Sequence, residues 1–140
     1  QSKASAIWEG GLKDGNGKVS GGSGAFSDLA YTFATRFEGK DGSNPEELIA
    51  AAHAGCFAMA LSNILGEAGM NPEYITANAT VTLEMLDNGP TVTKSHLVVK
   101  AKVPGAGDGD FQEAASKAKE GCPISRLLKA EISMDAALEG

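Results

Sequence analysis

The chain has 140 residues, a net charge of −6 and a pI near 4.8, which sets the length of one ordinary domain, 1–140, with a core of normal size. That acidity excludes the electrostatic footprint of a nucleic-acid or anionic-membrane binder. Two cysteines are too few for a secreted disulfide scaffold and leave an intracellular redox or metal role open, with the cytoplasm as the expected location. The opening QSKASAIWEGG has neither a basic n-region nor an apolar h-region, so no signal peptide is expected there.

In chain order, residues 4–21 read as two strands. Ala4, Ala6 and Trp8 alternate with polar neighbours, KDGNGK (13–18) turns the chain, and Val19 continues it. From Ala25 to Phe37 aromatic and β-branched residues recur, which predicts a strand or extended segment. Ser43 to Gly69 carries the longest helical pattern. Asn44 can cap it, Pro45 suits the first helical position, and Glu46 and Glu47 favour the positive end of the dipole. Either Ser43 with Glu46 or Asn44 with Glu47 fits a capping box, and Gly69 is a natural stop. Leu48, Ile49, a run of alanines, Phe57, Met59, Leu61, Ile64 and Leu65 leave no polar face, so the helix is expected to be buried on nearly all sides. Glu46, Glu47, His53, Ser62, Asn63 and Glu67 interrupt it and argue against a membrane span.

Beyond Gly69, residues 75–86 alternate with period two, Asp87-Asn88-Gly89-Pro90 turns, and 91–103 returns as the partner strand of a hairpin. Phe111, Ala114, Ala115 and Ala118 fall at helical spacing, so a helix is expected over 110–120. Gly121 breaks it, Cys122-Pro123 opens a short third helix to about Lys129, and 131–138 is a last strand. Strands, a long helix, a hairpin, helices and a strand make an α+β pattern without the strand–helix alternation of a parallel sheet.

Four residue types here can carry chemistry. Cys56, mid-helix, reads by itself as a small buried hydrophobe. Cys122, before a proline at a helix start, lies where backbone N–H groups and the helix dipole lower a thiol's pKa. Standing 66 positions apart, the two can be unrelated, ligate a metal or form a reversible disulfide. His53 and Cys56 share a helical face and, with His96 and Cys122, would make a Cys₂His₂ set that zinc accepts, although the spacing matches no compact zinc module. For redox work a thiolate needs a cation, and Arg36, just ahead of the long helix, is the outstanding one. Taken alone it reads as a surface ion-pair residue, and Glu46 and Glu47 as helix N-terminal acids.

In combination, TRFEGKDGSNPEELIAAAHAGCFAMALS followed by KAKEGCPISRLLKAEI closely resembles the OsmC branch of the OsmC/Ohr family, and the likeness runs over essentially the whole chain, from AIWEG to the FQEAASKAK helix. The resemblance implies an OsmC-like α+β fold with antiparallel sheets around a long central helix in an intertwined homodimer. It implies a thiol-dependent peroxidase for organic hydroperoxides, acting in oxidative or osmotic stress defence through an intrachain Cys56–Cys122 disulfide. Cys56 matches the peroxidatic cysteine, Cys122 the resolving cysteine, Arg36 the arginine that stabilises the thiolate and Glu46 the glutamate that orients Arg36. No bound cofactor or metal is implied; the partner is an external dithiol reductant, a dihydrolipoyl protein.

Geometry adds a constraint. Glu46 and Cys56 are ten residues apart, about 15 Å along a regular helix and roughly 80° around it, too far for direct contact. Two such helices packed antiparallel about a two-fold axis, close because of Ala50, Ala51, Ala52, Ala54, Gly55 and Ala58, would bring one N-terminus to the other's middle. The site is therefore expected at a dimer interface, with Arg36 and Glu46 from the subunit opposite Cys56, and with Ile49, Phe57 and Met59 as candidate lining for an organic tail. The competing reading is a stress-induced binding or structural protein with incidental thiols.

Overall fold

A computed structural model describes all residues from Gln1 to Gly140, and the chain divides into two compact units, Gln1–Leu48 and Ile49–Gly140. In the first, β1 (Ala4–Glu9), β2 (Asn16–Gly21) and β3 (Leu29–Tyr31) form an antiparallel sheet in that order. Gly17 pairs with both Trp8 and Tyr31, and a Cβ there would lie 2.6 Å from each ring. Its bareness lets the two rings meet at 5.4 Å between centroids across β2.

The extended segment expected over 25–37 is only partly found. After β3 the chain turns into a short helix, α1 (Phe33–Phe37). Thr32 caps it in a reciprocal box with Thr35, and the Phe33 and Phe37 rings, one turn apart, stack at 4.9 Å. Local capping and an i,i+4 aromatic pair outweigh the β propensity of these residues.

The long helix, α2 (Pro45–Glu67), starts where its cap signals place it. Asn44 Oδ1 accepts the Glu47 N–H at 2.8 Å, so Asn44, not Ser43, is the cap. In the second unit α2 is followed by β4 (Tyr74–Leu86), β5 (Gly89–Lys102), α3 (Asp108–Gly121), α4 (Pro123–Leu127) and β6 (Glu131–Glu139). β4 and β5 form the expected antiparallel hairpin, with a register shift at Thr82/Leu83. β6, however, lies parallel to β5, from Lys94 opposite Glu131 to Lys102 opposite Glu139. The segment holding α3 and α4 is thus the crossover that a parallel pair requires, and the sheet is mixed rather than antiparallel throughout.

One stripe of α2, His53, Phe57, Leu61 and Leu65, is fully buried, packing with Leu97, Val99 and Ala101 of β5 and Phe111, Ala115 and Ala118 of α3. The rest is not covered as expected. Only 22% of the helix's most apolar 18-residue window is buried, and Met59 is 78% exposed. By length and composition alone α2 is apolar enough to cross a membrane, a property that core helices of soluble proteins share. Apolarity on all sides requires a cover on all sides, and this chain supplies it for one stripe.

Candidate active site

In the first unit, the start of α2 is tied to α1 by side chains. Thr35 Oγ1 donates to the Ser43 carbonyl at 2.8 Å, Ser43 Oγ to the Ala30 carbonyl at 2.7 Å, and Asn44 Nδ2 to the Thr35 carbonyl at 3.0 Å. These bonds set the last turn of α1 against the first turn of α2. There Arg36 meets Glu46: Nη2 donates to Oε1 at 2.7 Å, and Nε lies 3.2 Å from both carboxylate oxygens. The Glu46 side chain is 10% exposed and that of Arg36 36%, so the carboxylate is fixed while the guanidinium keeps an open edge. The guanidinium carbon sits 5.2 Å from the Phe37 ring centre. Arg36 also borders a cavity of about 260 Å³ whose wall includes Trp8, Tyr31, Phe33 and Phe37. An arginine at the rim of an aromatic pocket suits a ligand with an anionic or polar end and an apolar body.

In the second unit, Cys122 lies close enough to Cys56 on α2 to affect its ionisation, and both are free thiols. Cys122, fully buried, is the N-cap of α4: its Sγ accepts the Ser125 N–H at 3.3 Å, with Pro123 at the first helical position. Burial pushes the Cys56 thiol above its ordinary pKa, a backbone hydrogen bond from Ile124 opposes this, and the hydrogen bond and charge of Cys122 add to the rise. None of these influences is a cation.

The proposed zinc set does not assemble. Ser95 and His96 are adjacent on β5 and so face opposite sides of the sheet. Ser95 turns inward, where its Oγ lies 2.6 Å from His53 Nδ1; His96 faces away, bonded to Ser133 at 2.6 Å and Asp135 at 3.0 Å. No three His, Cys, Asp or Glu side chains converge on a point that would hold a metal. Of the candidate lining residues, Phe57 is core, with no exposed surface, and Met59 stands in solvent.

Sequence reasoning missed the role of His53. It is fully buried, with Nδ1 on Ser95 and Nε2 2.7 Å from Ser125 Oγ. The available signal was its place three residues before Cys56, matched by Ser125 three residues after Cys122. Burial holds the His53 imidazole below its ordinary pKa. Below pH 6.5 the unfolded chain therefore binds a proton at this position that the folded chain refuses, and stability falls with pH by up to about 1.4 kcal/mol per unit, until the folded-state pKa is reached. Urea titrations from pH 7.5 to 5 check this: His53→Gln removes that part of the slope, and an unchanged slope contradicts it.

Residues 38–137 match the family described as OsmC-like protein. The chain is 50% identical over 137 residues to peroxiredoxin OsmC of Escherichia coli K12, covering 98% of this chain and 96% of that protein. It is 27% identical over 101 residues to an organic hydroperoxide resistance protein of Xanthomonas axonopodis pv. citri, covering 71% and 69% of the two chains. The fold is similar to the crystal structure of the organic hydroperoxide resistance protein OhrB of Bacillus subtilis, with a TM-score of 0.72, 24% identity and 98% of each chain covered.

Proposed function

The chain belongs to the OsmC-like protein family, and from that premise we propose that it is a thiol-dependent peroxidase that reduces organic hydroperoxides to alcohols. The observation that carries this reading is the juxtaposition of two free thiols, Cys56 on α2 and Cys122 capping α4. In the proposed cycle the Cys56 thiolate attacks the O–O bond, the alkoxide leaves and takes a proton as the alcohol, and Cys56 becomes a sulfenic acid. Cys122 then displaces hydroxide from that sulfur, giving the Cys56–Cys122 disulfide and water. An external dithiol reopens it, and a dihydrolipoyl protein is our choice of reductant. A disulfide that must be reopened each turnover suits a compartment that keeps thiols reduced, so we place the enzyme in the cytoplasm, in defence against oxidative or osmotic stress.

Arg36 supplies the positive charge in this scheme, lowering the Cys56 pKa and receiving the developing alkoxide, while Glu46 fixes the guanidinium. The aromatic pocket beside Arg36, rather than Phe57 or Met59, takes the organic tail. The reading makes the protein an intertwined homodimer in which residues 1–140 act as one functional domain, the long helices are central, and Arg36 and Glu46 serve the partner's Cys56. Three facts support this. α2 runs unbroken, so ten residues, about 15 Å of helix, separate Glu46 from Cys56. None of the influences on the Cys56 thiol is a cation, although a thiolate is required. The small residues Ala51, Ala52 and Gly55 lie exposed on an apolar helix.

Cys122→Ser tests the division of labour. Treated with an alkyl hydroperoxide, this variant should consume one equivalent, hold Cys56 as a sulfenic acid that dimedone traps, and then stop. Sustained turnover at the wild-type rate with a dithiol reductant would remove Cys122 from the cycle.

A further inference from the structure

The resolving thiol is the end of a buried hydrogen-bond chain. Cys122 Sγ donates to Ser125 Oγ at 3.3 Å, and Ser125 Oγ lies 2.7 Å from His53 Nε2. On the far side of the ring, Nδ1 lies 2.6 Å from Ser95 Oγ. Cys122, His53 and Ser95 have no exposed surface, and Ser125 is 9% exposed. The ring tautomer sets the direction of the bonds. In the tautomer that can take up the thiol's proton, Ser125 Oγ accepts from Cys122 and directs its own proton to Nε2, the bare nitrogen of the ring, and Nδ1–H donates to Ser95 Oγ. Every group is thereby used, and no buried side-chain polar atom is left without a partner. Three segments far apart in sequence, α2, β5 and α4, converge to hold this line.

Burial of a histidine in an apolar core needs a reason beyond packing, because leucine would fill the place without polar obligations. Here the ring is neutral, oriented by Ser95 and aimed through one hydroxyl at a thiol that must lose a proton to react. Burial keeps it neutral, as a proton acceptor must be at rest.

We propose that Ser125 and His53 form a proton relay for the resolving step: Ser125 is a catalytic residue in contact with the reacting Cys122 sulfur, and His53 is a positioning residue that acts through it. The inference rests on the peroxidase reading above and deepens it. As Cys122 approaches the oxidised Cys56, its proton passes to Ser125 Oγ, and the Ser125 hydroxyl proton passes to His53 Nε2. The Cys122 thiolate attacks Cys56 Sγ. The S–S bond forms, the Cys56 S–O bond breaks and hydroxide departs with the electron pair. The proton held on His53 neutralises that hydroxide, so one thiol and one sulfenic acid give one disulfide and one water with no net proton taken up. The Cys122 sulfur is oxidised and the Cys56 sulfur reduced, with no further oxidant required. The relay has no part in the earlier step, the attack of Cys56 on the peroxide.

The two steps are separable by rapid mixing with an alkyl hydroperoxide, quenching with dimedone to count sulfenic acid and with a thiol alkylating reagent to count remaining thiols. Ser125→Ala and His53→Gln should form the Cys56 sulfenic acid at close to the wild-type rate and close the disulfide about 100-fold more slowly. Slow closure should also increase irreversible oxidation of Cys56 to the sulfinic acid, visible by mass. Ser125→Thr restores the hydroxyl and should restore closure. The relay is overturned if Ser125→Ala closes its disulfide at the wild-type rate. It is equally overturned if both steps slow by the same factor or if Ser125→Thr is as slow as Ser125→Ala, since those results mark a packing role. Should His53→Gln fail to fold, the two Ser125 variants decide the matter. A wild-type protein that forms neither sulfenic acid nor disulfide overturns the peroxidase reading itself, and that result is distinct from wild-type closure with indifferent variants.

Discussion

Replacing Cys56 with serine is expected to lower kcat/KM for tert-butyl hydroperoxide by about a thousandfold or more, to the rate without enzyme. A serine hydroxyl is almost wholly protonated at neutral pH and is a poor nucleophile towards an O–O bond, whereas a thiolate is a strong one. Shape changes little, so fold and stability should remain near wild type. The position is only half-buried on α2, and the core stripe of Phe57, Leu61 and Leu65 is untouched. Steady-state peroxide consumption with a dithiol, alongside a thermal melt, separates loss of chemistry from loss of fold. Full activity in Cys56→Ser would remove the enzyme reading altogether.

The second large effect is expected at Arg36. Arg36→Met removes the charge and keeps most of the side chain's length, and should cost about 100- to 1,000-fold in kcat/KM, the scale of losing a preorganised charge in a dry site. Burial, with Cys122 adding to it, pushes the Cys56 thiol up, so without the guanidinium fewer thiolates form at neutral pH. The pH at which half-maximal rate is reached should therefore move upwards. Glu46→Gln leaves the arginine in place and should cost less, because the bidentate pair at 2.7–3.2 Å is loosened rather than emptied. A mixing experiment then asks which subunit supplies the charge. Arg36→Met and Cys56→Ser are each inactive, but a mixed dimer holds one complete site if Arg36 serves the partner's cysteine. Refolding an equal mixture should recover about a quarter of wild-type activity. No recovery would show that Arg36 serves its own chain.

How far such expectations were legible without coordinates depended on whether the cause was local. The start of α2 was, because Asn44, Pro45 and the two glutamates act within one turn of the helix they begin. So was Cys122 as a cap, for the same reason: the proline and the Ser125 N–H lie within three residues. α1 was missed because its capping box is made of two threonines set among aromatics, and their β preference hid a five-residue helix. Apolar composition around α2 indicated that something covers it but not which chain does so. Its own chain fully covers only the stripe from His53 to Leu65. The parallel placement of β6 depended on reading α3 and α4 together as a single crossover. The partners of His53 lie 42 and 72 residues away, and no local pattern joins them. The zinc set failed by a strand's alternation: His96 is one residue from Ser95, and one residue on a strand is the other side of the sheet.

The account turns on whether Cys56 and Cys122 act as a redox pair within one chain. Titrating free thiols before and after one equivalent of an alkyl hydroperoxide, with a non-reducing gel run alongside, tests this most directly. The prediction is the loss of two thiols per chain, no disulfide-linked dimer, and full recovery with a dithiol. Unchanged thiols, or oxidation only between chains, would contradict it and favour a binding or structural protein whose thiols are incidental.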